Sequence, residues 1–129
     1  MKRTLLREIL RICREKLARH PMWQVSEPKF HYSFIIQHNK IVAWSPNRLT
    51  ESILGWGELS NLHSELATYN LAKGILDHRK KWSIVNVRLN KKGELRMSAP
   101  CKNCQRFLKV VGVDKIYFTT STGFARMED

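Results

Sequence analysis

The sequence predicts an α/β domain, on three observations. Apolar residues recur at helical spacing in three segments, β-rich runs stand between those segments, and two of the helices begin with clusters of His and Glu or of Cys. The implied order is α, β, β, α, β, α, β. With 129 residues, 43% of them hydrophobic, the chain has enough material for one core, so residues 1–129 are expected to form a single domain.

Residues 3–18 carry Leu6, Ile9, Leu10, Cys13 and Leu17 on one side of an amphipathic helix. The stretch from Pro21 to Pro28 is a connecting loop. Phe30–Gln37 and Lys40–Trp44 are strand runs joined at His38-Asn39, which predicts a short hairpin. A loop from Ser45 to Asn61, rich in Trp, Pro, Asn, Thr and Gly, leads to a helix over Leu62 to Gly74 with Leu62, Leu66, Tyr69 and Leu71 as its apolar stripe. Ser83–Asn90 is a β-rich run that turns at Lys91-Lys92-Gly93 and returns through Glu94–Ser98. Pro100 suits a first helical position, and the helix behind it runs through Phe107, Leu108 and Val111 to a stop at Gly112. Lys115–Thr120 is a last long strand, and Thr122–Met127 can turn back antiparallel at Gly123. No internal repeat or low-complexity segment interrupts this order.

Two half-motifs carry chemistry. His63-Ser64-Glu65 opens one helix, and Pro100-Cys101-Lys102-Asn103-Cys104 opens another. One imidazole and two thiolates fill three tetrahedral positions on Zn²⁺ and leave the fourth for water, as a catalytic site requires; a structural site would want a fourth protein ligand. His63 and Glu65 diverge by about 200° on a helix, so they converge on one site only at its first turn, met end-on. Two helix N-termini beside one metal favour thiolate over thiol. Cys13 lies in a separate amphipathic segment and is not a ligand.

The net charge of +12 points to a phosphate-bearing partner, a nucleotide or a polynucleotide. Seven Lys/Arg against two Glu in the first 20 residues, Arg79-Lys80-Lys81 and Lys91-Lys92 contribute to it. Three cysteines make no disulfide framework, and two have a use as ligands, which implies a reducing compartment. The basic N-terminal segment has no continuous apolar stretch, so neither signal peptide nor membrane span is expected, and the protein is expected to be intracellular and cytoplasmic, with no membrane partner. Trp44 and Trp56 flank the 45–61 loop and Phe124 follows the last strand, all candidates for a ring on which a base stacks. Trp56, between Gly55 and Gly57, is the better of them, whereas Trp44 is expected to point into the core. His31, His38 and His78 have no ligand partner at motif spacing and are expected to be ordinary strand, turn and surface residues.

The H-x-E…P-C-x-x-C pattern with this element order resembles the zinc-dependent cytidine and deoxycytidylate deaminase superfamily. The resemblance runs from the first helix to about residue 124 and includes Ile36 to Asn47, Ser98-Ala99-Pro100-Cys101, Leu108, Gly112 and Ile116-Tyr117-Phe118. It implies a three-layer α/β/α sandwich around a mixed sheet of about five strands. His63, Cys101 and Cys104 would bind one Zn²⁺ per chain. Glu65 would take a proton from the attacking water and return it to the departing amine, converting cytosine to uracil at C4 with loss of ammonia. Asn47 would contact the nucleoside, and the Ser64 amide and Ala99 carbonyl would read the base edge. A homo-oligomer in which a neighbour closes the pocket is a further implication. The 34 residues between Glu65 and Pro100 exceed the family's usual spacing, a surplus assigned to the Ser83–Ser98 hairpin, and the short C-terminus departs from polynucleotide deaminases. Two other functions fit the same motif: adenosine deamination on nucleic acid, and a non-catalytic basic nucleic-acid binder with a structural zinc.

Overall fold

The structure, a computed structural model, describes residues 1–19, 30–46, 48–49, 61–62 and 64–128. Helix α1 spans Arg3–Arg19, followed by β1 (Phe30–Gln37), β2 (Lys40–Pro46), β3 (Arg48–Leu49) and β4 (Asn61–Leu62). Helix α2 (Ser64–Ala72), β5 (Ser83–Leu89), β6 (Leu95–Arg96), α3 (Lys102–Val110), β7 (Lys115–Thr120) and β8 (Gly123–Arg126) complete the order. The fold is α/β, with an open, mixed, six-stranded sheet in the order β2-β1-β5-β7-β8 and β6 added to the end of β5. Among the described residues only β5 and β7 pair in parallel; the other pairs are antiparallel. The sixth strand, beyond the five expected, is the returning arm of the Ser83–Ser98 hairpin, two residues of which pair with Arg88 and Leu89. Gly93 (φ +80°) turns that hairpin, with Asn90 Oδ1 accepting from the Lys92 and Glu94 amides.

Helices cover both faces. Strand alternation sends Phe30, Tyr32, Phe34 and Ile36 of β1 and Val85, Val87 and Leu89 of β5 to one side, where they bury Leu5, Ile9, Cys13 and Leu17 of α1. The opposite side buries Ile35, Ile84 and Ile116 against Ala72, Leu76, Trp82 and Leu108 from the α2 and α3 layer. The β1–β2 hairpin turns through His38 (φ 55°) and Asn39 (φ 58°), both left-handed, as a two-residue turn matched to strand twist requires. Gly112 (φ +93°) follows α3 where the sequence predicts its stop. No helix among the described residues is long and apolar enough to cross a membrane.

Three expectations fail. Helix α2 starts at Ser64, because Leu62 pairs in β4, and Leu71 is exposed instead of inward. The inward face of α2 is Ser64, Glu65, Ala67, Thr68 and Ala72, mostly polar or small. Pro100 lies one residue before the N-cap, and Cys101 takes the cap itself. Phe124 packs on the α1 side, in contact with that core, so it is no rim for a site on the other face. Trp44 behaves as expected: it stacks on Phe34 (5.6 Å between centroids, 16°) with Lys16 over its ring at 5.5 Å. The connecting loop at 21–28 lies outside the described residues.

Candidate active site

Glu65 stands in the first turn of α2 and is 1% exposed. A carboxylate is compatible with that depth only when it is bonded. Asn86, at the middle of β5 on the same side of the sheet, donates from Nδ2 to Glu65 Oε1 at 2.6 Å and to the Ser98 carbonyl at 3.1 Å. Its Oδ1 accepts from Ser33 Oγ at 2.7 Å. Ser33 Oγ also contacts Ser64 Oγ at 2.6 Å. A hydroxyl has one proton, and that of Ser33 is committed to Asn86, so Ser64 is the donor in this contact. Donation therefore runs one way, Ser64 to Ser33 to Asn86 to Glu65.

The direction has a chemical consequence. Oε1 receives an N–H at 2.6 Å and has to act as an acceptor, so any proton that Glu65 carries sits on Oε2. Oε2 is itself shut from solvent and has no hydrogen-bond partner among the described residues. Thr68 locks the turn below by donating to the Ser64 carbonyl at 2.6 Å. Ser98 Oγ donates to the Asn86 carbonyl (2.8 Å) and accepts from the Thr119 amide (2.7 Å), tying the segment before α3 to β5 and β7.

The cysteines arrive on α3. Cys101 caps the helix in extended conformation, and its Sγ accepts from the Cys104 amide at 3.5 Å. Cys101 is exposed and Cys104 buried, and no disulfide joins the three cysteines. Burial pushes the Cys104 thiol well above its ordinary range, and the neighbouring Glu65 carboxylate and Cys101 push it further. Glu65, Cys101 and Cys104 thus occupy one electrostatic neighbourhood at the N-termini of α2 and α3. Ser64 is buried in the same place and Ala99 is exposed just ahead of the Cys101 cap. His63, Asn47 and Trp56 lie outside the described residues.

Among the described residues no three His, Cys, Asp or Glu side chains form a metal-binding group. The donor set nevertheless fits a thiophilic cation. Two sulfurs one helical turn apart, a buried carboxylate oxygen with no hydrogen-bond partner among the described residues, and a thiol held protonated by burial and by the adjacent carboxylate are relieved together by one positive charge.

Four residues at this site have no counterpart in the motif: Ser33, Asn86, Ser98 and His31. His31 Nε2 stands 3.8 Å from Glu65 Oε1, an ion-pair distance too long for a hydrogen bond, so this histidine belongs to the site and is no ordinary strand residue. The available signal was alternation. Phe30, Tyr32 and Phe34 share one face of β1, which puts His31 and Ser33 together on the other. No protein-family model, curated protein or solved structure matches the chain.

Proposed function

We propose that the protein is a zinc-dependent hydrolytic deaminase that converts cytosine to uracil on a phosphate-bearing substrate, a nucleotide or single-stranded nucleic acid. One observation carries the reading: a buried glutamate beside a C-x-x-C helix start, with one oxygen fixed by Asn86 and the other without a hydrogen-bond partner among the described residues. His63, Cys101 and Cys104 would hold the Zn²⁺. When bound, the ion supplies a Lewis acid that makes water a nucleophile at neutral pH.

The chain's own residues do the rest. Asn86 holds the carboxylate plane, so Glu65 offers Oε2 to an incoming proton without rotating. Having taken it, Oε2 can donate it to the exocyclic nitrogen, which then leaves as ammonia. The one-way chain from Ser64 ties up Oε1 and leaves Oε2 as the oxygen that would take the proton and return it. The Ser64 amide and Ala99 carbonyl would read the base edge, and Asn47 and Trp56 would complete the proposed substrate contacts. The +12 charge supports a phosphate on the substrate.

The test is uracil formation by zinc-loaded protein from deoxycytidylate and from a cytosine-containing oligonucleotide. Glu65→Gln, which still accepts from Asn86, is expected to lose about 10²- to 10⁴-fold in rate while keeping its zinc. Cys101→Ala is expected to lose the zinc. Full activity in Glu65→Gln would refute the mechanism, and a zinc-bearing wild type that binds oligonucleotide without turnover would make the protein a binder.

A further inference from the structure

Next to the rung that holds Glu65 lies a second one of different character. In β1–β5 pairing Ser33 stands opposite Asn86, and His31 opposite Arg88. In β5–β6 pairing Arg88 stands opposite Arg96. Phe30, Tyr32, Val87, Leu89 and Leu95 all pack on the α1 side, so His31, Arg88 and Arg96 project from the other face, the face of Glu65. They form one continuous row across three strands. Arg88 is two residues beyond Asn86 on the same strand, roughly 6.6 Å further along the sheet. The measured link is the 3.8 Å between His31 Nε2 and Glu65 Oε1.

Exposure rises along this path. Asn86 is fully buried, His31 is 22% exposed, Arg88 is half-buried, and the Arg96 side chain is 47% exposed. The row also sits at the carboxyl end of the parallel pair β5 and β7, where open α/β sheets bind their ligands. Among the described residues the charge of its two arginines is little balanced. Arg88 and Arg96 are cross-strand neighbours of like sign, an arrangement that costs stability. Glu94 reaches Arg96 only at 4.0 Å with both side chains about half exposed, which is worth little. Among the described residues Arg88 has no ion pair and its guanidinium makes no hydrogen bond.

We propose that Arg88 and Arg96, with His31 linking them to Glu65, form the phosphate subsite of this site: a base placed at Glu65 would have its own phosphate on this row. The inference deepens the deaminase reading and rests on it for the identity of the base. A guanidinium meets a phosphate through two parallel N–H bonds, and two arginines side by side become favourable neighbours once a dianion lies between them. The phosphate comes either from a mononucleotide or from the backbone of a single strand.

Equilibrium binding of deoxycytidylate, deoxycytidine and a short cytosine-containing oligonucleotide decides the matter. Wild type is compared with Arg88→Gln, Arg96→Gln, Arg88→Lys and, as a surface control, Lys73→Gln at the exposed position just past the C-terminal end of α2. Arg88→Gln is expected to weaken a phosphate ligand about 10- to 100-fold, the value of a charged hydrogen bond, and to leave deoxycytidine binding as in wild type. Loss confined to deoxycytidylate makes a free nucleotide the source, and loss confined to the oligonucleotide makes a strand the source. Arg88→Lys should recover part of the loss and Lys73→Gln should show none. Arg96→Gln, at an exposed position, should weaken the same ligand whether or not Arg88→Gln folds. Equal loss for nucleoside and nucleotide, or no loss in either arginine variant, overturns the subsite. A wild type that binds deoxycytidylate no better than deoxycytidine overturns it as well. The two readings fail separately. Phosphate-dependent binding lost in the variants without any turnover in wild type sinks the deaminase alone, and uracil formation at unchanged KM in both arginine variants sinks the subsite alone.

Discussion

Replacing Asn86 by Asp changes one atom and inverts the logic of the buried network. The acceptor for Ser33 Oγ is kept, but the donor that meets Glu65 Oε1 at 2.6 Å becomes an oxygen. Two ionised carboxyls at that separation repel by about 6 kcal/mol at an effective dielectric constant of about 20. Keeping a proton on one of them at pH 7, about three units above its ordinary range, costs about 4 kcal/mol. Protonation is the lesser cost, so the pair takes up a proton, and the resulting O–H replaces the lost N–H. The bond to the Ser98 carbonyl is not replaced, which adds about 1 kcal/mol. Asn86→Asp should therefore be about 5 kcal/mol less stable than wild type at pH 7, a large part of a small domain's total. The pair's folded-state pKa is raised above its unfolded value, so the lost stability is present below the unfolded pKa and disappears as pH rises. The gap to wild type should thus close by about 1.4 kcal/mol per pH unit on acidification from about pH 7 towards about pH 4. Urea unfolding followed by circular dichroism, with chelator present, measures it. An Asp variant as stable as wild type, or a gap insensitive to pH, would refute the assignment of Asn86 as the donor to Glu65.

Two other outcomes are expected. Alkylation followed by mass spectrometry should label exposed Cys101 first and buried Cys104 later, with Cys13, whose thiol burial pushes far up, labelled only on unfolding; stoichiometric Zn²⁺ should slow Cys101 and Cys104 and leave Cys13 unchanged. Unprotected Cys101 in the presence of zinc would remove it from the ligand set. Burial, with the Cys13 thiol adding to it, pushes the Tyr32 hydroxyl up to about 12 from 10.0. The raised folded value means that its contribution is intact below pH 10.0 and lost as pH climbs to about 12, so unfolding titrations should show a decline in that window which Tyr32→Phe removes.

Periodicity made much of this fold legible. Helix α1, strands β1 and β7 and the left-handed hairpin at His38-Asn39 follow from spacing and turn chemistry, and their bounds agree with expectation to within a residue or so. Helix α2 was harder because its inward face is Ser64, Glu65, Ala67, Thr68 and Ala72. A search for an apolar stripe therefore settles on Leu62 and Leu71, one in a strand and the other exposed. Of the site, Glu65, Cys101 and Cys104 were legible as a motif and are brought together. The supporting residues were not, since spacing rules look along the chain and Ser33, Asn86 and His31 meet Glu65 across strands. What marks them is a polar residue inside an apolar strand: Ser33 in Phe30–Gln37 and Asn86 in Ser83–Leu89.

That mark also separates a structural purpose from a chemical one. Ser33, Ser64, Thr68, Asn86, Ser98 and Thr119 are all at most 2% exposed, in the middle of a sheet face that alanine, valine and leucine could fill. Apolar side chains of similar size would hold the layers at least as well, because a buried polar group gains little net stability even when fully bonded. A network kept only for packing would also have no preferred direction. This one has: donation runs from Ser64 through Ser33 to Asn86 and on to one oxygen of Glu65, with the second Asn86 amide proton going to the Ser98 carbonyl, while the other Glu65 oxygen has no hydrogen-bond partner among the described residues. Reversing the Asn86 amide would break two bonds and set its oxygen against the carboxylate, so the orientation is enforced. The arrangement distinguishes the two oxygens of a single buried carboxyl, which packing does not require and which supports the proposed role of Glu65 as the proton carrier.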